Sequence, residues 1–231
     1  MTAAVPLNAL LSGKAQPYTR PGSRSGIAKT PRRDKVWISP IGLEGDEQGD
    51  LRVHGGPDKA VHHYDYAHYA RWQQELGALP MLQQPGAFGE NISTSGLDER
   101  QVCIGDRFQL GGALLEVSQS RQPCWKLNDR FGVPDMARRV QDSGRCGWYY
   151  RVLQPGLAHA DDALLLRERP HPQWPLLRIL RILFTPILDP AQLEPMLALP
   201  LVPSRRKLVE HRLQQSQVED WEKRLQGPPK A

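Results

Sequence analysis

From Leu7 to Arg169 the hydrophobic residues come in short runs cut by glycine and proline, the pattern of brief strands joined by tight turns. Val36-Trp37-Ile38 is a β-branched and aromatic triplet. Val102 to Leu115 predicts a hairpin or meander. In it, Val102-Cys103-Ile104 leads to a Gly105-Asp106 turn, and Phe108 and Leu110 lead to a Gly111-Gly112 turn ahead of Leu114-Leu115-Glu116-Val117. Trp148 to Leu153 and Ala163 to Leu166 read as later strands on either side of Pro155-Gly156. Tyr64 to Leu76 and Pro134 to Val140 have helical composition, with Pro134 suited to a first turn. Short strands with glycine-rich turns predict a mainly β fold with inserted helices, built as a closed or nearly closed barrel that leaves no exposed edge.

The pattern changes at Arg169-Pro170-His171-Pro172-Gln173-Trp174-Pro175, where three prolines resist both helix and interior strand. Beyond it the chain reads as helical over Leu176 to Phe184, Ala191 to Leu199 and Arg205 to Leu225. Val218, Trp221 and Leu225 fall on one apolar face of the last segment. The expected division is a barrel over residues 1–170 and a three-helix appendage over 171–231. The appendage is too small to bury a core alone, so it packs on the barrel or across a homodimer.

Composition narrows the class. A hydrophobic content of 39% and a charged content of 24% suit an ordinary folded domain and exclude a disordered chain. Three cysteines in 231 residues exclude a disulfide scaffold. Met1 to Gly13 lacks the basic start of a signal peptide, and Leu176 to Leu188 is broken by Arg178 and Arg181. The expectation is a cytoplasmic protein without membrane association. The net charge of +5 is spread along the chain and does not predict nucleic-acid binding. Six cations (Lys14, Arg20, Arg24, Lys29, Arg32, Arg33) precede the first acid, Asp34. They read as a solvated, partly mobile arm, or as a source of one or two contacts to a phosphate.

Candidate chemistry lies in four segments. In His54-Gly55-Gly56-Pro57-Asp58-Lys59 the glycines let backbone N–H groups approach an anion, with His54 and Lys59 adding charge. Asp46, in Gly45-Asp46-Glu47, either orients a donor or closes a turn. Asn91, after Gly89-Glu90, offers both a donor and an acceptor. Cys124 follows a strand and Pro123, with Arg121 and Lys126 nearby to favour thiolate. A thiolate serves as a nucleophile or a soft metal ligand. Cys103 and Cys146 read as buried structural thiols.

The ordered series Ser25-Gly26-Ile27-Ala28-Lys29, Gly42-Leu43-Glu44-Gly45-Asp46, His54-Gly55-Gly56-Pro57-Asp58-Lys59-Ala60, Phe88-Gly89-Glu90-Asn91, Gly105-Asp106 and Gln122-Pro123-Cys124 resembles the MOSC domain family. It is most similar to the stand-alone bacterial YiiM-like branch, which also carries a three-helix appendage. The resemblance implies a β-barrel that binds a molybdenum cofactor (molybdopterin), with Cys124 as catalytic metal ligand. It implies cofactor contacts from Lys29, Asp46, His54, Gly55, Gly56, Lys59, Asn91 and Arg121. The implied activity is reduction of N-hydroxylated compounds, such as the base analogue 6-hydroxylaminopurine, in detoxification. The chain carries no recognisable flavin, haem or iron–sulfur motif, so the implied partner is an external electron-donating reductase. The alternative is a carrier that holds cofactor or sulfur on Cys124 without turnover. A pyridoxal phosphate site on Lys29 or Lys59 is the disfavoured reading.

Overall fold

The computed structural model describes residues 4–50 and 54–228. Its first strands are β1 (Val5–Ser12), β2 (Gln16–Pro17), β3 (Arg24–Ser25), β4 (Thr30–Pro31), β5 (Val36–Ser39) and β6 (Gly42–Leu43). Then come β7 (Val61–Asp65), α1 (Ala67–Leu76), β8 (Ile92–Thr94), β9 (Arg107–Leu110), β10 (Ala113–Ser120), α2 (Lys126–Phe131) and α3 (Met136–Ser143). The barrel ends with β11 (Trp148–Gln154), β12 (Gly156–Ala158) and β13 (Ala163–Glu168). After it follow α4 (Leu176–Leu183), α5 (Pro190–Leu193), α6 (Pro203–Gln215) and α7 (Glu222–Gln226).

Seven strands close a ring in the order β13-β9-β10-β11-β7-β8-β1, and β1 returns to β13 with Val5 opposite Leu164. The pairs are antiparallel except β7 with β8, where His63 lies opposite Ile92. Closure removes the free edges that a seven-strand sheet would otherwise present. A small outer sheet, β12-β5-β6, lies beside the ring.

One apolar cluster runs through the molecule. It joins barrel side chains such as Leu10, Val61, Phe108, Leu115 and Trp148 to the helical Leu176, Ile179, Leu183 and Val209. Each such side chain contributes about 1.5–3 kcal/mol when fully buried. The appendage therefore packs in cis, with α4 against β10. Its polar ends are satisfied by Arg212, fully buried on α6, which donates to the carbonyls of Ile182, Leu183, Thr185 and Ile187 and pairs with Glu219 at 2.8 Å. These donors occupy helix-end carbonyls that have no partner within α4.

Four expectations change. Tyr64 and Asp65 belong to β7, and the helix begins only at Ala67; all five β7 residues are buried, so strand alternation is hidden. Val102-Cys103-Ile104 is not a strand but a buried turn joined to Pro175 by a single bridge. The last helix breaks at Ser216, which sits at φ 49°, so Val218, Trp221 and Leu225 do not share one helix. The N-terminal cations divide: Lys14, Arg24 and Arg33 are exposed, whereas Arg20 is buried on Asp129 and Lys29 pairs with Asp46.

Candidate active site

Strand β10 delivers the backbone to the site. It ends at Ser120, and Arg121 N–H then donates to the Gly147 carbonyl at 2.9 Å, which pins the start of the loop to the head of β11. Pro123 fixes the next turn, and Cys124 stands one residue before the first turn of α2, its carbonyl accepting from Leu127 N–H. The Cys124 Sγ lies 3.6 Å from His54 Nε2 and is half-buried.

A cavity opens at this sulfur. Its lining includes Lys29, Asp46, His54, Lys59, Asn91, Arg121 and Cys124, so seven of the nine residues expected from sequence meet in one place. Gly55 and Gly56 do not line it; they lead into the short turn Pro57–Lys59, where Lys59 N–H donates to the Gly56 carbonyl at 2.9 Å. Lys126, His62 and Tyr149 line the cavity and were not among the expected ligands. Lys126 was readable as a cation beside the sulfur. His62 and Tyr149 carry no local signal, because only the pairing of β7 with β11 places them opposite each other.

The floor is a fixed hydrogen-bond network. Asp46 accepts from Gly13 N–H at 2.8 Å and from Asn91 Nδ2 at 2.9 Å, and it is also paired with the Lys29 ammonium. Asn91 Oδ1 accepts from His62 N–H at 3.0 Å. The Asn91 loop is itself stitched by Glu90, which accepts from Gly86 N–H at 2.7 Å and Phe88 N–H at 3.1 Å. Asp46 and Asn91 thus shape the wall with side chains already engaged by protein groups. Close approach also shapes the rim: a Cβ on Gly49 would fall 2.1 Å from the Arg24 carbonyl oxygen.

Charge around the sulfur is positive. Burial lowers the affinity of Lys59 and Lys126 for their protons. Burial, reinforced by Lys126, Lys59 and Arg121, pushes His54 down to about 4, so its imidazole is neutral at pH 7. Arg205, buried on α6, also faces Lys59, and burial followed by Arg224 pushes it down to about 10. Among the described residues, three buried polar atoms of the lining have no partner: His54 Nδ1, His62 Nε2 and Arg121 Nη1. A built but unsatisfied set of this kind is expected where a polar ligand completes the hydrogen bonding.

The other two thiols are placed differently. Cys103 and Cys146 are buried, and burial pushes both thiols up. A larger cavity, about 620 Å³, lies between α1 and α4. It holds no cysteine, and its arginines Arg71, Arg100, Arg145 and Arg181 stand beside the acids Asp65, Asp98, Glu99 and Asp142. Among the described residues no cluster of three or more His, Cys, Asp or Glu side chains could hold a bare metal ion. No helix among them is long and apolar enough to cross a membrane.

Sequence comparison matches residues 50–165 to the model described as the MOSC domain and residues 174–216 to the YiiM-like 3-alpha helix domain. The chain is 46% identical over 158 residues to Protein YiiM of Escherichia coli, covering 68% of this chain and 70% of that protein. It is 42% identical over 160 residues to a protein of Gibberella moniliformis named Reductase, covering 69% of this chain but 28% of that one. The crystal structure of YiiM from Escherichia coli superposes with a TM-score of 0.82 at 32% identity, covering 98% of this chain and all of that one.

Proposed function

The chain belongs to the MOSC domain family, and on that premise we propose that it is a molybdenum-cofactor-dependent reductase of small N-hydroxylated molecules. The observation that carries this reading is the one accessible thiol, Cys124, facing a cavity of cations and polar atoms that have no partner among the described residues. The donor set fits the group. One soft thiolate suits molybdenum whose other ligands come from the pterin itself. Lys59, Lys126 and Arg121 suit a phosphate, and the neutral His54 and His62 suit the polar edge of a heterocycle. The enclosed space is only about 80 Å³, below the several hundred Å³ usual for cofactor sites. A bound pterin would therefore extend over the outer rim formed by Gly26, Gln48 and Gly49.

When bound, the cofactor would supply the two-electron chemistry that removes oxygen from N–OH. The overall balance is R–NH–OH plus two electrons and two protons to R–NH2 plus water, with the electrons supplied by an external reductase. The chain's own residues bind, orient and manage protons. Cys124 would hold the metal, and Lys59, Lys126 and Arg121 would hold the anionic part of the cofactor. His54, neutral and 3.6 Å from the sulfur, would hold a proton beside the reacting centre without adding to the positive charge already there.

The test is reduction of an N-hydroxylated purine by cofactor-loaded protein with a chemical reductant. Wild type is expected to produce the amine, and Cys124→Ser to lose at least about 1.4 kcal/mol of rate, tenfold or more. Loaded wild type that forms no amine contradicts the enzyme reading. Retention of labelled sulfur on Cys124 in that protein would instead support the carrier alternative.

A further inference from the structure

Cys124 lies in a loop, and loops place reactive groups less accurately than helices or strands unless something outside holds them. The holding element here is the last helical turn of the chain. Arg224 of α7 donates through Nη1 to the carbonyl of Pro123, the residue before Cys124. The Trp125 N–H, the residue after Cys124, donates to the Arg224 carbonyl at 2.9 Å. The same arginine thus engages the backbone on both sides of the sulfur. Its other nitrogen, Nη2, donates to Gln141 Oε1 at 2.6 Å, which ties the grip to α3.

Neighbouring contacts repeat the pattern. Asn128 Nδ2 donates to the Leu225 carbonyl at 2.8 Å, and Arg20 donates to the Gln226 carbonyl at 2.7 Å while lying 4.1 Å over the Trp125 ring. Gly227, at φ 70°, packs so closely that a Cβ would fall 2.4 Å from Trp125 Cγ.

We propose that the C-terminal segment Glu222–Gln226 clamps the Cys124 loop, with Arg224 as the positioning residue that sets the sulfur's place through Pro123 and Trp125. The importance of that placement rests on the assignment of Cys124 as the reactive sulfur; the clamp itself is testable without it. The segment lies beyond residues 174–216, where the helical-domain match ends, so the site depends on a part of the chain outside both matched regions.

The experiment is amide hydrogen exchange on purified full-length protein, read on peptides spanning residues 121–128, together with molybdenum and pterin content per chain. The variants are Arg224→Met, Arg224→Lys and Gly227→Ala. In Arg224→Met, exchange at 121–128 is expected to rise about tenfold while β7 and β10 keep wild-type protection. Cofactor content is expected to fall at least threefold with Cys124 intact. Arg224→Lys, which retains a donor for the Pro123 carbonyl, is expected to restore at least half of both losses. Gly227→Ala displaces Trp125 without touching Arg224 and is expected to reproduce the exchange increase. Exchange at 121–128 within twofold of wild type in both Arg224→Met and Gly227→Ala overturns the proposal. So does an increase that spreads equally to β7 and β10, because Arg224 is then a general stabiliser. Wild type that binds no cofactor contradicts the function proposed above, and the exchange readout then decides the clamp alone.

Discussion

Cys124 and Cys146 sit on two loops that touch each other, through the Arg121 N–H and the Gly147 carbonyl at 2.9 Å. Cys146 is fully buried, and its sulfhydryl donates to the Val140 carbonyl at 3.4 Å. Burial pushes that thiol up, keeping it protonated and inert. Cys124 instead stands half-buried beside His54, in a cavity lined by Lys59, Lys126 and Arg121. The two side chains are chemically identical. Access and neighbouring charge, both set by which strand ends where, separate a structural thiol from a candidate ligand.

Native-state labelling with iodoacetamide should expose the widest contrast. Cys124 reacts from the folded state, whereas Cys146 must wait for an opening that costs about 4 kcal/mol or more, a thousandfold in rate. Mass spectrometry of the modified sites is expected to show that ratio. Equal labelling of the two would erase the distinction.

Next in size is the floor beneath the sulfur. Lys29→Ala leaves Asp46 buried without its cation, which should destabilise the protein by about 3 kcal/mol in denaturant unfolding. Loss below about 1 kcal/mol would show that the pair is not a structural part of the cavity wall.

The smallest effect is pH-dependent. The His54 pKa is lowered from 6.5 unfolded to about 4 folded, so between those values the unfolded chain binds more protons. Stability linked to this group is therefore complete above pH 6.5, declines as pH falls, and levels off below about 4. The full shift corresponds to about 3 kcal/mol, and partial exposure of His54 to solvent screens it, so wild type should lose about 2 kcal/mol more than His54→Asn across that window. Parallel curves for the two proteins would place His54 in solvent rather than against the sulfur.

Much of the barrel was legible because its outer strands alternate or follow glycine turns: β10, β11 and β13 lie where the hydrophobic runs predict them. The misread segments share a physical cause. Val61 to Asp65 is covered on all sides, so period two disappears, and the helix expected from Tyr64 begins instead at Ala67. Arg212, for which the sequence offered no reading, is fully buried, where it satisfies the carbonyls at the end of α4. The site divides in the same way. Lys29, His54, Lys59, Arg121 and Cys124 lie in short motifs with local texture. Arg205 and Arg224 approach from helices 81 and 100 residues beyond Cys124 in the numbering, and only the docking of those helices brings them near it.

The central claim is that one sulfur, and not its buried neighbour, anchors the cofactor. Protein expressed in a cofactor-competent host should contain molybdenum and pterin near one per chain in wild type and in Cys146→Ala, and at least tenfold less molybdenum in Cys124→Ser. Equal molybdenum in Cys124→Ser and wild type would contradict the account.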